Sequence, residues 1–493
     1  MLMLPVALGV TLAQPSSPYI VLDSTKQLFL DDWLIESRRN VARRIRPVDK
    51  SPHNPVLWPE EDWEADVAVV YGSVVRDGKH WRMWYQSGGD VSYAESEDGI
   101  EWRKPRLDVV SADGHKTNII VRQGAEEGQP GGLPWFYEVF GVHRDERRPE
   151  RPYVMGYLSL QRDYTGPGGD PFHGGQRRGL GVADSADGIH FRSVNPWSTE
   201  AIVDGATHWM RDPATKQYVL YGRTKHVPDE IRAAWGSQEW FGGHWGRAVA
   251  RVESSDFLSW DITDAREAPV VLAVDPADRP GDEIYSMMVF PYEGIYIGLV
   301  QVFHNTADEC TLDIQLAVSH DTRHFERVGD RSAFIPLGGV GEWDRFNLSL
   351  ANNAPIEVGD DLRFYYGGRA HRHSPYDGPD KGEPVGGIGF ASIRRDRFVS
   401  LDASFDGGEI VTRPLLLRGR SLHLNLASGF GDVRVEALAD DGSAIATSEP
   451  VRSDSLDARV RWEGKEPFGG DSPVRLRIAL RNARLYAVWC ERE

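Results

Sequence analysis

A chain of 493 residues exceeds what one ordinary hydrophobic core organises, so two or more domains are expected. Its 16 Trp, 17 Tyr and 18 Phe, within a 40% hydrophobic composition, exclude a disordered chain. The net charge of −18 sets the surface against nucleic acid and anionic membranes, whose phosphates call for clustered Lys and Arg.

Residues 1–13 read MLMLPVALGVTLA, an apolar run ending in a small residue. They resemble the apolar core and cleavage end of a secretory signal, which implies a secreted or periplasmic protein. About 13 residues are too few to span a bilayer, and no other segment approaches the ~20 required. Residues 14–49, with Phe29-Leu30-Asp31-Asp32-Trp33, are expected to dock on the repeat domain that follows or to close it.

From residue 50 the chain repeats. A Ser-x-Asp-x-x-x-aromatic pattern occurs at Ser96, Asp98 and Trp102, at Ser185, Asp187 and Phe191, at Ser254, Asp256 and Trp260, and at Ser319, Asp321 and Phe325. A degenerate fifth copy follows Ala391, with Phe398 in the aromatic place. Upstream of each copy lies a turn and then a strand rich in Tyr and aliphatics: 81–86 (WRMWYQ), 152–158 (PYVMGYL), 217–223 (QYVLYGR), 294–301 (GIYIGLVQ) and 362–368 (LRFYYGG). Another apolar strand precedes each turn. The unit is strand, tight turn, strand, loop, strand, turn, aromatic strand, which is one four-stranded blade. Five units fill residues 50–401 and predict an all-β, five-bladed β-propeller.

Beyond about residue 402, short alternating strands are separated by Asp-Gly and Gly-Gly turns. Residues 402–493 therefore read as a β-sandwich. The two cysteines, Cys310 and Cys490, are too few for a metal site and leave pairing open.

The repeated units and appended sandwich resemble the five-bladed propeller glycoside hydrolases of the invertase/levanase and arabinanase/xylosidase families. The opening of blade one, Asn54-Pro55-Val56-Leu57 followed by Trp63-Glu64, is also similar to the mannoside-phosphorylase family. The resemblance implies three acidic residues on inner strands of different blades, meeting at the central funnel. Glycosidic cleavage needs one protonated carboxylic acid at the leaving oxygen and one ionised carboxylate as base or nucleophile. A third acid can hold their pKa values apart.

Acids at the starts of inner strands are Glu64 and Asp66 in blade one, Glu138 in blade two and Asp204 in blade three. Asp282 and Glu283 follow in blade four, and Asp344, with Arg345 and Asn347 nearby, in blade five. The order of roles in the resembled clan selects Asp66 as base or nucleophile, Asp204 as pKa modulator and Glu283 as acid, with Glu64, Glu138 and Asp282 as alternates. Trp63, Trp135 and Tyr285 are placed to stack on sugar faces, and His208 and His304 to line the funnel. Arg211-Asp212-Pro213 copies an invertase-type sugar-gripping motif but occupies the hairpin slot that Arg76-Asp77-Gly78 fills in blade one, so a turn role is expected.

No metal signature and no required cofactor are visible, and a structural calcium in the central channel is compatible with the resemblance. The expectation is an exo-acting glycosidase with a carbohydrate substrate. The alternatives are a non-catalytic carbohydrate-binding propeller or a glycoside phosphorylase, for whose phosphate Arg345 and Arg369 are the evident cations.

Overall fold

The computed structural model describes residues 19–492 apart from 162–175, 201, 203, 228, 230–245, 265, 307, 374–384, 465 and 469–471. The signal-like segment 1–13 lies outside the described residues. The chain divides into two compact units, residues 45–398 and residues 1–44 with 399–493. Among the described residues no helix is long and apolar enough to cross a membrane.

The first unit is the five-bladed propeller. Blade one runs from an inner strand interrupted between Ala68–Val69 and Val74–Asp77, through His80–Ser87 and Asp90–Ser96, to Ile119–Val121. Blade two is Phe136–Arg144, Tyr153–Gln161, Arg177–Ser185 and Phe191–Asn195. Blade three is His208–Arg211, Tyr218–Thr224, Ala248–Ser254 and Val270–Leu272. Blade four is Asp282–Tyr292, Ile295–His304, Thr311–Ser319 and the short Glu326–Arg327. Blade five has Asn347–Leu350 with Ile356–Val358 innermost, then Asp361–Arg369 and Gly386–Arg394. Its fourth strand is Asp49–Lys50, from before blade one, paired antiparallel through Ala391 with Lys50 and Ser392 with Asp49. Closure by the opposite end of the chain covers a sheet edge that would otherwise be open.

The Ser-x-Asp motifs occupy one place in each of four blades, the turn that leaves the third strand. Ser96 Oγ accepts from the amides of Asp98 (3.2 Å) and Gly99 (2.9 Å), while Asp98 Oδ1 accepts from those of Ile100 (2.8 Å) and Glu101 (2.9 Å). The same pattern recurs at Ser185/Asp187 and Ser254/Asp256. At the fourth copy, Ser319 Oγ accepts from the Asp321 amide and Asp321 Oδ1 from those of Arg323 and His324. Short side-chain acceptors thus satisfy amides that the turn leaves without ladder partners.

The residue after each Asp has a left-handed backbone: Gly99, Gly188, Phe257 and Thr322, with φ of 73°, 81°, 68° and 68°. Its carbonyl meets the preceding blade in three cases. Tyr365 donates to Gly99 O (2.6 Å), Trp84 Nε1 to Gly188 O (2.7 Å) and Tyr221 to Thr322 O (3.1 Å). The motif is a blade-to-blade joint. Blade five lacks it for a topological reason: its fourth strand comes from elsewhere, so no turn to a fourth strand follows Arg394. Phe398 instead joins an aromatic cluster with Phe290, Tyr292, Phe334 and Phe364.

The second unit is the sandwich. One sheet holds Asp454–Arg459, Ser421–Ala427, Ala483–Glu491, Val399–Ala403 and Ala42–Ile45, with Gln27–Leu28 at the side. The other holds Ile35–Arg39, Gly408–Thr412, Arg475–Arg481, Asp432–Leu438 and Ala444–Thr447. The expectation that residues 14–49 dock on the propeller is corrected here. Ile20–Leu22 pairs in parallel with Leu415–Leu417, and Ile35–Arg39 pairs with Gly408–Thr412. Only Asp49–Lys50 closes a blade. The reason is apolar burial: Leu22, Phe29, Leu34 and Ile35 fill the sandwich core beside Leu424, Val435, Ile478 and Leu485. Both cysteines are buried free thiols, Cys490 in that core and Cys310 beneath the funnel.

Candidate active site in the propeller funnel

Inner strands carry irregularities where they reach the funnel, and these aim the side chains there. In blade two the register shifts between Phe136 and Glu138, and in blade four between Ile284 and Ser286, which frees Tyr285 from the ladder. In blade one the ladder breaks at Val70–Ser73 between its two segments. A Cβ on Gly72 would lie 2.0 Å from the Trp84 carbonyl oxygen, so only glycine lets the strand pass here. The break places Tyr71 against the small cluster of Ala206, Tyr285, Phe303, Cys310 and Leu312.

Around Tyr71 and Tyr285 four carboxylates are held in two different ways. Asp204 is ion-paired. Arg178 binds its Oδ1, and Arg223 places both Nε and Nη2 2.9 Å from its Oδ2. Glu283 is fully buried and equally committed: Arg247 Nη1 lies 2.5 Å from Oε2 and Asn305 Nδ2 2.7 Å from Oε1. Glu138, by contrast, accepts only the Ala206 amide among the described residues, at 3.2 Å. A Cβ on Gly205 would lie 2.9 Å from Glu138 Oε1, so the glycine makes room for the carboxyl. Burial pushes the Glu138 carboxyl up to about 7, with the Asp204 charge adding to the rise and Ala206, Arg223 and Arg178 opposing it. Asp66 stands at the start of blade one, half-buried. Its carbonyl accepts from Val385 N (2.6 Å), while its carboxylate has no hydrogen-bond or ion-pair partner among the described residues.

Arginine and aromatic groups complete the funnel floor. The Arg223 guanidinium lies 4.2 Å from the Tyr285 ring centroid, and that of Arg247 5.6 Å from the same ring and 5.3 Å from Phe303. Tyr285 Oη is 3.0 Å from His373 Nε2. Burial first, then the charges of Arg247, Arg223 and Arg369, hold His373 down at about 3, so its imidazole is neutral. Burial also raises the Tyr71 hydroxyl well above the ordinary tyrosine range. The arrangement offers one carboxyl able to carry a proton near neutrality, one carboxylate without a partner among the described residues, and two further carboxylates ion-paired with guanidinium groups.

Of the residues singled out from sequence, Glu138, Asp204, Glu283, Tyr285 and Arg369 come together at this floor, and Asp66 stands beside the blade-five strand that follows Arg369. Glu283, expected as the acid, accepts from Arg247 at Oε2 and from Asn305 at Oε1. Glu64 is locked by Lys104 Nζ and Tyr85 Oη, each at 2.6 Å, and by the amides of Glu60 and Glu61. Asp282 binds His304 Nδ1 (2.7 Å), whose Nε2 faces Asp313 (3.2 Å); these partners outweigh burial and raise His304 to about 9. Asp344 is tied to Lys50 (2.6 Å) and Tyr366 (2.8 Å), next to the closing strand.

The expected aromatic platforms also have other occupations. The Trp63 indole donates to Asn118 and its face carries Arg106, 4.4 Å away. Trp135 is 47% exposed and meets the edge of Trp197. Arg345 stacks on Phe346, and Asn347 pairs in the ladder with Arg369. Asp212 of the Arg-Asp-Pro segment accepts from Tyr296 (2.5 Å), Thr215 and the Ala214 amide, a turn role.

His208 and His143 lie with Trp209 about the buried Asn352, whose side chain reaches both imidazoles. Burial holds both imidazoles neutral, at about 3 for His208 and about 4 for His143. This set does not suit calcium, which takes six to eight oxygen ligands. Among the described residues no cluster of three or more His, Cys, Asp or Glu could hold a metal ion.

Sequence reasoning missed Arg178, Arg223, Arg247, Asn305, Tyr71 and His373. A signal was available for one of them: Arg223 follows a glycine near the end of the second strand of its blade, in YGR, as the candidate Arg369 does in YGGR.

No family model matches the chain, and no curated protein sequence matches it. Solved structures with a similar fold are found. One, a thermostable family-43 glycoside hydrolase, shares 12% identity over 69% of this chain and 95% of its own, with a TM-score of 0.45. Another belongs to the family of mannoside phosphorylases containing glycoside hydrolases that target β-1,2 mannosidic linkages in Candida mannan. It has 13% identity, 71% and 95% coverage and a TM-score of 0.45. A third is an N-acetylgalactosamine deacetylase from F. plautii, with 14% identity, 73% and 97% coverage and a TM-score of 0.44.

Proposed function

We propose that this chain is a carbohydrate-active enzyme, a glycoside hydrolase acting on a terminal sugar in the propeller funnel. One observation carries the reading. Glu138, with its carboxyl raised to about 7, sits beside Asp204, which is ion-paired with two guanidinium groups. A carboxyl poised near neutrality is what a general acid needs, because it can both hold and deliver the proton at working pH.

In this reading Glu138 protonates the leaving glycosidic oxygen. Asp66, with no partner among the described residues, serves as base or nucleophile, and burial, with the Asp204 charge beside it, keeps Glu138 protonated. Glu283, with Arg247 and Asn305, shapes the wall behind Tyr285. The leader-like residues 1–13 support secretion as part of the same proposal.

The test is a reducing-sugar screen on a panel of polysaccharides and oligosaccharides, with the D66N/E138Q double variant as control. Release of a single terminal sugar that the double variant abolishes supports the reading. Binding of a glycan by wild-type protein with no product from any panel member would favour a non-catalytic propeller.

A further inference from the structure

We propose that the substrate sugar carries an anionic group, a carboxylate or a sulfate, and that Arg369 receives it. The inference rests on the funnel being the carbohydrate site, and it names the class of sugar that the site takes.

Four guanidinium groups converge on this end of the propeller, and three have carboxylate partners. Arg178 and Arg223 share Asp204, and Arg247 has Glu283. Arg369 is the exception. It ends the second strand of blade five, Asp361–Arg369. Among the described residues its side chain makes no hydrogen bond and no ion pair.

Its stem is nevertheless fixed. A Cβ on Gly386 would come within 3.0 Å of Arg369 Cγ and 2.8 Å of Val67 Cγ2, so the stem runs through a gap between blades five and one that only glycine leaves open. Gly386 bridges to Val67, and Val385 N binds the Asp66 carbonyl, which puts Arg369 beside the strand that carries Asp66. The charge of Arg369 is felt at Tyr71 and His373, and His373 is neutral, so it supplies no compensating anion.

The partly exposed Arg369 guanidinium spends none of its five donors on the described residues, which leaves them open to an anionic ligand. The planar fork fits carboxylate, sulfate and phosphate in bidentate fashion. Its place beside the strand that Asp66 opens puts the partner on the side of the funnel where the base or nucleophile stands. A uronic acid carboxylate or a ring sulfate satisfies that position, whereas a sugar hydroxyl would leave the charge uncompensated. Free phosphate has the same oxyanion chemistry and is the alternative source.

The test is calorimetric titration of the full chain with glucuronic acid, galacturonic acid, glucose 6-sulfate, glucose, galactose and inorganic phosphate, on wild type, R369K and R369Q. A charge-assisted pair predicts that at least one charged sugar binds about ten- to hundredfold tighter than its neutral counterpart. R369Q should erase that preference and R369K should keep part of it. Unchanged melting curves and unchanged neutral-sugar affinity would show that both variants are folded.

Equal binding of charged and neutral sugars, or an equal loss of both in R369Q, would overturn the proposal. So would preferential binding of phosphate with formation of a sugar 1-phosphate during turnover, which assigns the cation to free phosphate. A charged-sugar preference in a protein that hydrolyses nothing would sustain the anion site and remove only the hydrolase reading.

Discussion

Replacing Glu138 by glutamine separates the proton donor from the fold. In the native protein the Glu138 carboxyl is raised from 4.5 to about 7, while in the unfolded chain it ionises near 4.5. Between these values the folded protein keeps a proton that the unfolded chain has lost, so stability falls as pH rises through the window. At about 1.36 kcal/mol per pH unit, the full fall is about 3 kcal/mol. That figure is an upper bound, because the carboxyl keeps a partly exposed face.

Glutamine keeps the shape and removes the titration, so E138Q should show no such fall. It should therefore gain on wild type as pH rises from about 5 to about 8, while its hydrolysis of natural substrates drops by about 10²–10⁴-fold. Aryl glycosides with good leaving groups need less protonation and should suffer less. The assays are denaturant titrations across that pH range, followed by tryptophan fluorescence, together with pH profiles of kcat/KM. If the difference between E138Q and wild type is flat with pH, or if the alkaline limb of the wild-type profile does not lie near pH 7, Glu138 is not the poised acid.

Three other outcomes are expected. D66N should lose natural-substrate turnover by at least about 10²-fold with little change in melting temperature, since the carboxylate has no partner to lose. K50A should leave the buried Asp344 without its cation at the closing strand and cost about 3–5 kcal/mol, read from denaturant midpoints; a change under about 1 kcal/mol would mean that closure does not depend on this pair. S185A should unsatisfy two turn amides and cost about 1–3 kcal/mol in the same assay without altering substrate preference, because the joint lies away from the funnel.

The propeller was legible from sequence because each blade solves the same local problem with the same residues. The turn out of the third strand needs a short acceptor pair and a left-handed residue, and Ser-x-Asp-Gly at 96–99 and 185–188 supplies both. Alternating apolar strands report the blade cores in the same way. These signals are local, so the chain displays them without any knowledge of its partners. The acid positions at inner-strand starts followed from the same periodicity, which is why Asp66, Glu138, Asp204 and Glu283 were all found.

What separated them was contact between segments distant in sequence. Glu138 and Glu283 both lie near the start of an inner strand, yet Glu283 is bound by Arg247 and Asn305 while Glu138 accepts from the Ala206 amide beside Asp204. Ionisation depends on which charges lie within a few ångströms, and no spacing rule within one blade encodes the blade beside it. The same limit hid the fate of residues 20–45. Their strands carry no repeat signature, and only the tertiary structure sends them into the sandwich, because Leu22, Phe29, Leu34 and Ile35 are buried in its core.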